Sequence, residues 1–222
     1  MNICIVGTGY VGLVAGTCLS DFGMNVICVD NDKKKISRLK KGEVPIYEIG
    51  LEQLIKRNIK LGRLRFSTDL EEAVKRSLVI FIGVGTPENE DGTSNMSYVH
   101  EVAREIGRAM NDYKVIVMKS TVPVGTSREL RKIIRESQTE PNDFDVVSNP
   151  EFLREGAAVN DFLRPDRIVI GSDSERALAI VKDIYRPLYL LETPIISTTN
   201  ETAEMIKYAS NTMLALKISF IN

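Results

Sequence analysis

Four polar side chains in the second half of the chain could move protons or stabilise a negatively charged oxygen. Thr121 and Glu151 each follow an apolar run, and Lys207 and Asn211 stand four residues apart near the end of the chain. Thr121 could also be a helix N-cap, and Glu151 part of a helix N-terminal turn. Lys207 could form a surface ion pair with Glu204. Together, however, an amine and a carboxylate can handle the proton that an alcohol releases when it gives up a hydride.

A glycine motif near the N-terminus predicts where a redox cofactor would bind. Residues 3–6 are a β-branched apolar run, typical of a strand buried on both faces. Three glycines follow in G-x-G-x-x-G spacing before a helical apolar pattern, which allows a tight turn, close approach to a pyrophosphate and close helix packing. The predicted dinucleotide loop comprises Gly7, Gly9, Tyr10, Val11 and Gly12.

Asp30 bears on which dinucleotide is bound. It ends the second predicted strand, eighteen residues beyond Gly12. A carboxylate there accepts hydrogen bonds from an adenosine ribose and repels a 2′-phosphate, which favours NAD over NADP. Lys33, Lys34 and Lys35 follow and keep NADP open, although a solvated helix face is their simpler explanation. Lys35 is included among the candidate cofactor-binding residues.

Strands and helices alternate along the whole chain. This alternation predicts an α/β fold with a doubly wound, mostly parallel Rossmann sheet. The predicted strands cover residues 3–6, 26–29, 64–67, 78–84, 114–119, 143–148, 167–171 and 194–197. The polar segment 85–93 predicts a loop at the carboxyl end of a strand, where such sheets bind ligands. Glu151 and Glu155 would share one face of the segment after the sixth strand if that segment is helical.

The last predicted element is a helix from about residue 200 to the end of the chain. Thr198 and Glu201 form a capping-box pattern at its start. The helix stays apolar over residues 214–221 and ends at Asn222 without the glycine, proline or basic cap that usually closes a helix. We therefore expect the chain to be the N-terminal part of a longer protein, and the apolar end to promote self-association.

Composition argues against several classes of partner. The 29 basic and 30 acidic residues nearly balance, so neither a nucleic acid nor an anionic membrane is predicted. The chain has no apolar stretch of membrane-spanning length and no signal-peptide pattern, which predicts a cytoplasmic protein. Cys4, Cys18 and Cys28 are expected to be buried thiols. His100, the one histidine, has no partners at ligand spacing, so no metal site is expected.

Five motifs occur in a characteristic order. They are the glycine loop, Gly85-Thr86-Pro87, Ser120-Thr121-Val122-Pro123-Val124-Gly125-Thr126, Asn149-Pro150-Glu151-Phe152-Leu153-x-Glu155-Gly156 and Lys207-Tyr208-Ala209-x-Asn211. This order resembles the UDP-glucose/GDP-mannose 6-dehydrogenase family over the entire chain. The segment Lys41-Gly42-x-x-Pro45-Ile46-Tyr47-Glu48-x-Gly50-Leu51 is most similar to the UDP-glucose branch. The resemblance implies an NAD-binding domain over residues 1–198 and the start of a central helix over 199–222, with the C-terminal sugar-nucleotide domain outside this chain.

The resemblance also implies an activity and a role for each candidate residue. The family oxidises the C6 alcohol of a nucleotide sugar to a carboxylate and reduces two NAD, through an aldehyde, a cysteine thioester and its hydrolysis. Thr121 and Glu151 would position and activate water, with Glu151 as the base. Lys207 and Asn211 would stabilise the oxyanion and support the sugar. The remaining implied contacts are Thr86 and Glu155 to the nicotinamide side, Thr121 to the cofactor, and Phe152 and Leu153 to the substrate.

The family's nucleophile lies in a Gly-x-Cys-x-x-Lys-Asp motif beyond the central helix, which these 222 residues do not contain. All three cysteines of the chain lie in its first βαβ unit and cannot replace that nucleophile. We therefore expect the chain to bind NAD without completing the four-electron reaction. The resemblance implies UDP-glucose or a related nucleotide sugar as the substrate, and a homodimer through the central helix.

Other interpretations stay open at this point. A two-electron dehydrogenase of the 6-phosphogluconate or β-hydroxyacid type also places Lys-x-x-x-Asn on a helix after a Rossmann domain. That type lacks the Asn-Pro-Glu-Phe-Leu and Thr-Val-Pro-x-Gly-Thr motifs. A non-enzymatic NAD-sensing module needs the glycine loop but has no use for the four polar side chains together. GDP-mannose and UDP-N-acetylmannosamine are alternatives to UDP-glucose.

Overall fold

Eight strands form one sheet in the computed structural model, which describes residues 1–222 except for the side chain of Leu190. The strands are β1 (Asn2–Val6), β2 (Asn25–Val29), β3 (Leu64–Ser67), β4 (Val79–Ile82), β5 (Lys114–Met118), β6 (Phe144–Ser148), β7 (Ile168–Ser172) and β8 (Ile195–Thr198). Their order across the sheet is β3-β2-β1-β4-β5-β6-β7-β8. Because the strand order reverses between β1 and β4, a crevice for ligands is expected at the carboxyl ends of these two strands.

Helices connect the strands on both faces of the sheet. They are α1 (Tyr10–Asp21), α2 (Lys33–Lys40), α3 (Leu51–Lys60), α4 (Leu70–Arg76), α5 (Ser97–Ala109), α6 (Thr126–Ser137), α7 (Ala158–Leu163), α8 (Glu175–Ile184) and α9 (Asn200–Ile221). A short 3₁₀ helix, which the sequence did not predict, follows α8 at Arg186–Leu191. The doubly wound α/β architecture predicted from the alternation is confirmed.

The sheet is parallel except at one position. Strand β6 pairs with β7 in the antiparallel direction over a short register, with Val147 opposite Ser172 and Ser148 opposite Gly171. Strand β8 then pairs parallel to β7. The chain after β6 therefore crosses the carboxyl edge before it returns, and this crossing places the loop of residues 149–157 at that edge.

Two apolar layers cover the sheet. On one face, Ile3 and Ile5 of β1 pack with Leu13 of α1, and all three are at most 1 % exposed. On the other face, Cys4 packs in a cluster with Val99 of α5. Burial of one large aliphatic side chain stabilises a fold by about 2 kcal/mol, so this alternation holds each strand firmly in register. The polar loops lie at the ends of the strands, outside the two apolar layers.

The start of α9 differs from the predicted capping box. Thr198 belongs to β8, and the N-cap is Thr199, whose hydroxyl accepts a hydrogen bond from the Thr202 amide at 3.3 Å. Glu201 instead pairs with Arg128 of α6. The capping-box prediction was therefore wrong by one residue, because the strand continues to Thr198 through its pairing with Gly171.

The segment after β6 is not helical until α7 begins. Residues 149–157 form a loop in which Glu151 accepts a hydrogen bond from the Leu153 amide at 2.6 Å. This local turn replaces the first turn of a helix. Glu151 and Glu155 therefore do not share a helix face, and Glu151 does not lie in a helix N-terminal turn.

Candidate functional site

The glycine loop between β1 and α1 is shaped by close backbone contacts. Gly7 has a φ of +97°, and a Cβ atom there would lie 2.7 Å from the Gly83 carbonyl oxygen. A Cβ atom on Gly12 would lie 1.9 Å from the Gly7 carbonyl oxygen. Gly9 is different, because nothing lies within 4 Å of its Cβ position and it caps α1 without a side-chain hydrogen bond. The first amides of α1 are thus open to an anion at Gly9.

Asp30 lies at the end of β2, beside the glycine loop. Its carboxylate accepts hydrogen bonds from the Thr8 amide at 2.9 Å, the Thr8 hydroxyl at 2.7 Å and the Lys35 amine at 2.9 Å. The Asp32 amide donates a further bond at 3.0 Å. Burial alone would raise the pKa of Asp30, but these donors, with Lys35 the strongest, outweigh burial and lower the pKa to about 2. Asp30 is therefore a firmly ionised carboxylate.

A cavity of about 450 Å³ opens over these residues. Its walls include Gly7, Gly9, Asp30, Lys35 and Gly85. The cavity lies at the carboxyl ends of β1, β2 and β4, which is the place where the strand order reverses. An open glycine at a helix N-terminus and an ionised acid at the next strand end fit a pyrophosphate and an adenosine ribose. Lys35 is held by Asp30, so its amine is not a free cation for a 2′-phosphate.

A second cavity, of about 550 Å³, lies at the carboxyl edge beside β5, β6 and α9. The predicted substrate-side residues all line it. They are Glu151, Phe152, Leu153, Lys207 and Asn211. These residues are up to 60 positions apart in the sequence, and the crossing of the chain after β6 together with the docking of α9 brings them to one wall.

Lys207 and Glu151 form the centre of this second cavity. The Lys207 amine donates to the Glu151 carboxylate at 2.8 Å, with side-chain exposures of 8 % and 12 %. The same amine lies 5.4 Å from the centre of the Phe152 ring. The surface pairing of Lys207 with Glu204 that the spacing allowed is therefore absent, since Glu204 is itself buried and binds elsewhere. A cation and a carboxylate in contact at a cavity wall can exchange a proton with a bound alcohol.

Thr121 and Thr86 connect two loops at the carboxyl ends of the strands. The Thr86 hydroxyl donates to the Thr121 carbonyl oxygen at 2.9 Å, which ties the loop after β4 to the loop after β5. Thr121 is not a helix N-cap, because α6 is capped by Gly125. Thr121 and Lys207 line one small cavity next to the Glu151 pair. The four polar side chains predicted from the sequence thus lie within one region of the sheet edge.

Tyr10 contacts the loop of residues 149–157, which also carries Glu155. The Tyr10 hydroxyl donates to Glu48 and to the Arg154 carbonyl oxygen, the latter at 3.0 Å. Burial first, and then Glu48, raise the pKa of Tyr10. Glu155 is exposed, and its charge contributes to the same pKa shift. The predicted nicotinamide-side residue Glu155 therefore lies near Tyr10, but it is not among the residues that line either cavity.

Glu48 belongs to the segment from Lys41 to Leu51, and its carboxylate holds the loop of residues 149–157 in place. Its carboxylate is 6 % exposed and accepts the Gly156 amide at 2.5 Å and the Ala158 amide at 3.0 Å. It thereby caps the start of α7 and fastens the loop of residues 149–157 to Tyr10. The two amide partners lie more than a hundred positions away, and Tyr10 lies 38 positions away, so no local sequence pattern could have indicated them.

Lys119 is a residue of the site that the sequence analysis missed. It follows β5, lines the second cavity and is 5 % exposed. Its amine donates to the backbone and side-chain oxygens of Asn149, both at 3.3 Å, and Tyr185 donates to the same side-chain oxygen at 2.6 Å. Burial lowers the pKa of Lys119 to about 8; Glu151 acts against this shift and Lys207 adds to it. The sequence signal that could have indicated Lys119 is a lysine at the end of an apolar strand.

The cysteines and the histidine lie outside both cavities. Cys4, Cys18 and Cys28 are fully buried; burial raises the pKa of Cys4 to about 12 and raises the pKa of the other two as well. The His100 ring lies 3.1 Å from Glu129. In the part of the chain that the structure describes, no three His, Cys, Asp or Glu side chains are grouped as metal ligands. Among the described helices, none is both long and apolar enough to span a bilayer.

Comparison with protein families decides between the interpretations of this site. Residues 1–189 match the model of the UDP-glucose/GDP-mannose dehydrogenase family, NAD binding domain. Residues 201–222 match the central domain of the same family. The chain belongs to the UDP-glucose/GDP-mannose dehydrogenase family. NAD is accordingly the cofactor of the domain that these residues form, as the position of Asp30 predicted.

Individual relatives agree with this assignment. The chain is 55 % identical to UDP-glucose 6-dehydrogenase of Rhizobium meliloti, covering 100 % of the chain and 51 % of the relative. It superposes with a TM-score of 0.96 on a UDP-glucose dehydrogenase from Pyrobaculum islandicum, at 41 % identity over 100 % of this chain and 51 % of the other. For GDP-mannose dehydrogenase from Pseudomonas aeruginosa the TM-score is 0.95, at 41 % identity over 99 % and 51 %. The chain spans about half the length of the curated relatives it matches.

Proposed function

We propose that this chain is the NAD-binding part of an enzyme that oxidises the C6 alcohol of UDP-glucose to a carboxylate, giving UDP-glucuronate. The observation that carries the proposal is the buried Lys207–Glu151 pair, 2.8 Å apart in the cavity beside β5, β6 and α9. The family assignment favours this chemistry over the two-electron β-hydroxyacid type. We further propose that the cofactor domain covers residues 1–198 and that residues 199–222 begin a central helix.

Proton transfer is the first task of the pair. Bound NAD would accept the hydride from C6 of the sugar. The Glu151 carboxylate, held by the Lys207 ammonium, can accept the proton that the hydroxyl loses as its C–O bond becomes a carbonyl. Burial to 8 % and 12 % exposure reduces competition from water and strengthens their interaction with a bound oxygen. Phe152 forms an apolar wall against the Lys207 amine.

Stabilisation of negative oxygen is the second task. The Lys207 ammonium and the Asn211 amide line the same wall, where they can donate to an oxyanion that develops at C6. Glu151 is a carboxylate within reach of the same position, so it can accept a proton from an attacking water. Thr121 lies beside Lys207, where its hydroxyl can orient that water.

A covalent cysteine intermediate requires residues from outside this chain. Each of the three thiols here is buried in the core with a raised pKa, and none lines either cavity. A thiolate nucleophile needs access to the substrate and a lowered pKa. We therefore propose that the nucleophile belongs to the part of the protein beyond these 222 residues, and that this chain alone forms no UDP-glucuronate.

GDP-mannose is the second candidate substrate. The observation in its favour is the near-equal similarity to the two solved structures, with TM-scores of 0.96 for the UDP-glucose enzyme and 0.95 for the GDP-mannose enzyme. The identity is 41 % in both cases. The sequence of the segment from Lys41 to Leu51 supports UDP-glucose as the first choice.

The test counts NADH formed per UDP-glucose consumed by the full-length protein. Two NADH per sugar support the four-electron oxidation, and one per sugar would indicate a simple alcohol dehydrogenase. NADH formed with GDP-mannose alone would correct the substrate and keep the mechanism. NAD binding without turnover of any nucleotide sugar would favour an NAD-sensing module.

We also propose that α9 pairs with a second copy of the chain. Along its last two turns the side chains of Leu214, Leu216, Ile218, Phe220 and Ile221 are between 57 % and 88 % exposed. Leu214, Ile218 and Ile221 share one face of the helix, and an exposed apolar face of this kind usually marks an interface. Analytical ultracentrifugation of the full-length protein should show a dimer, and a monomer at all concentrations would contradict the proposal.

A further inference from the structure

Glu204 is a buried carboxylate on α9 to which the sequence and the mechanism above assign no role. It is 3 % exposed. Its two oxygens accept the Gly125 amide at 2.6 Å and the Ser127 amide at 2.9 Å, and the Ser148 hydroxyl lies at 3.3 Å. Gly125 has no side chain to cap α6. Glu204 therefore supplies, from a helix 79 positions later in the chain, the cap that α6 lacks.

Glu204 is one member of a polar row on α9. Asn200, Glu204, Lys207 and Asn211 are spaced by four, three and four residues, which places them on one face of a helix. Asn200 accepts the Ser148 amide at 2.8 Å and donates to the Val146 carbonyl at 3.2 Å. The first two residues of the row thus fasten α9 to β6 and α6. The next two, about one and two turns further, line the substrate-side cavity.

The loop that Glu204 holds carries Thr121. This loop runs from the end of β5 to the start of α6 and is fixed at two points. Near one end, the Thr121 carbonyl accepts the Thr86 hydroxyl at 2.9 Å, and at the other the Gly125 amide donates to Glu204. Thr121, Glu204 and Lys207 line one small cavity. A displacement of Glu204 would therefore move Thr121 and Lys207 relative to each other.

We propose that Glu204 is a positioning residue, which sets the distance between the Thr121 loop and the Lys207–Glu151 pair by capping α6 from α9. The proposal rests on the proposed function for its kinetic consequence, and on the hydrogen bonds alone for its structural one. A carboxylate suits this role because both oxygens accept, whereas the amide of glutamine offers one acceptor and presents a donor to the second N–H group. The charge also lies at the N-terminus of α6, where a negative group is stabilised.

The kinetic test uses the full-length protein with Glu204→Gln. We expect kcat with UDP-glucose to fall at least tenfold, whereas KM for NAD changes less than threefold, because Glu204 contacts no wall of the dinucleotide cavity. The matched control is Glu201→Gln on the same helix. Glu201 contacts α6 through an ion pair to the exposed side chain of Arg128, so its kcat should stay within twofold of wild type. A kcat within twofold of wild type in Glu204→Gln would overturn the proposal.

A structural readout separates this proposal from the proposed function. Amide hydrogen exchange of Glu204→Gln should be at least tenfold faster over residues 120–127 and also over 149–153, while Glu201→Gln stays as wild type. Unchanged exchange in these two segments would overturn the positioning role even if kcat fell. If wild type forms no NADH from nucleotide sugars, the proposed function fails and the exchange result alone decides. If Glu204→Gln does not fold, Glu204→Asp, which keeps both acceptors on a shorter side chain, must show the same kcat-selective loss of at least threefold, and its absence would overturn the proposal.

Discussion

The two cavities at the carboxyl edge are built in contrasting ways. In the first cavity, the glycine loop and Asp30 are joined within the first thirty-five residues, and the bond from the Thr8 amide to Asp30 spans 22 positions. The opposite wall comes from residues 83–105. The substrate-side cavity depends on longer connections, such as Lys207 to Glu151 over 56 positions and Gly156 to Glu48 over 108. A local motif therefore sets the loop and the acid of the first cavity, whereas the pair at the centre of the second exists only when α9 and the loop of residues 149–157 have docked.

The two cavities also differ in how well they stabilise a charged side chain. In the first cavity, burial would raise the pKa of Asp30, but the hydrogen-bond donors around its carboxylate lower it to about 2. Lys119 is buried with two neutral oxygens at 3.3 Å, and burial lowers its pKa to about 8. The first cavity is thus stabilised by its charge, and the second holds a charge that costs stability. Substitutions that affect one cavity and not the other test this contrast.

The largest effect is expected from Lys207→Ala in the full-length protein. Removal of the amine leaves the oxyanion without its cation and Glu151 without its partner, so kcat should fall about 1,000-fold, or ~4 kcal/mol. NAD affinity, measured by fluorescence titration, should stay within twofold because Lys207 lies in the other cavity. Loss of NAD binding together with kcat would show that the two cavities are not separable.

Lys119→Met should stabilise the protein. Because the folded-state pKa of about 8 lies below the ordinary value of 10.5, the unfolded chain binds the extra proton between these values. Wild-type stability should therefore rise by about 3 kcal/mol as the pH increases from 8 to 10.5. The methionine variant lacks this dependence and should be more stable at pH 7 by about that amount in urea unfolding. Lys56→Met, at an exposed lysine, serves as the control. An equal change in the free energy of unfolding in both variants would contradict a cost of burying the Lys119 charge.

Asp30→Asn should destabilise the protein by about 2 kcal/mol at pH 7, because the folded-state pKa of about 2 lies below the ordinary 3.8. The stabilisation by Asp30 is complete above pH 4 and disappears as the pH falls through 2, so the difference between variant and wild type should shrink over that range. Urea unfolding at several pH values measures it. Glu71→Gln, in an exposed pair with Lys75, should change stability by less than ~0.5 kcal/mol.

The smallest effect is expected from Tyr10→Phe, which removes the hydroxyl that joins the glycine loop to Glu48 and Arg154. Glu48 keeps the Gly156 and Ala158 amides as donors, so the loss should be about 1 kcal/mol in thermal unfolding. NAD affinity should be unchanged. A larger loss, together with weaker NAD binding, would show that the loop of residues 149–157 supports the dinucleotide cavity as well.

Several predictions from sequence were close because their causes are local. The strand predicted at residues 64–67 is β3, Leu64–Ser67, and α9 begins at Asn200 as expected. The predictions that failed had distant causes. Thr198 does not cap α9 because it pairs with Gly171 in β7, a contact that the local sequence does not indicate. The proposed face of Glu151 and Glu155 does not exist because the segment forms a loop, held by Glu48 and by its own turn.

The sequence by itself determined the fold class, the dinucleotide loop, the acid at Asp30 and the set of polar residues at the strand ends. These features depend on the periodicity of the side chains and on steric requirements within segments of about thirty residues, so they can be recognised from the sequence. Tertiary structure alone decided that Lys207 pairs with Glu151 rather than Glu204, that Glu204 caps α6, that Glu48 holds the loop of residues 149–157, and that Lys119 is buried in the cavity wall. Each of these contacts joins segments that meet only after the sheet has formed and the helices have packed, so their partners depend on register and burial rather than on spacing.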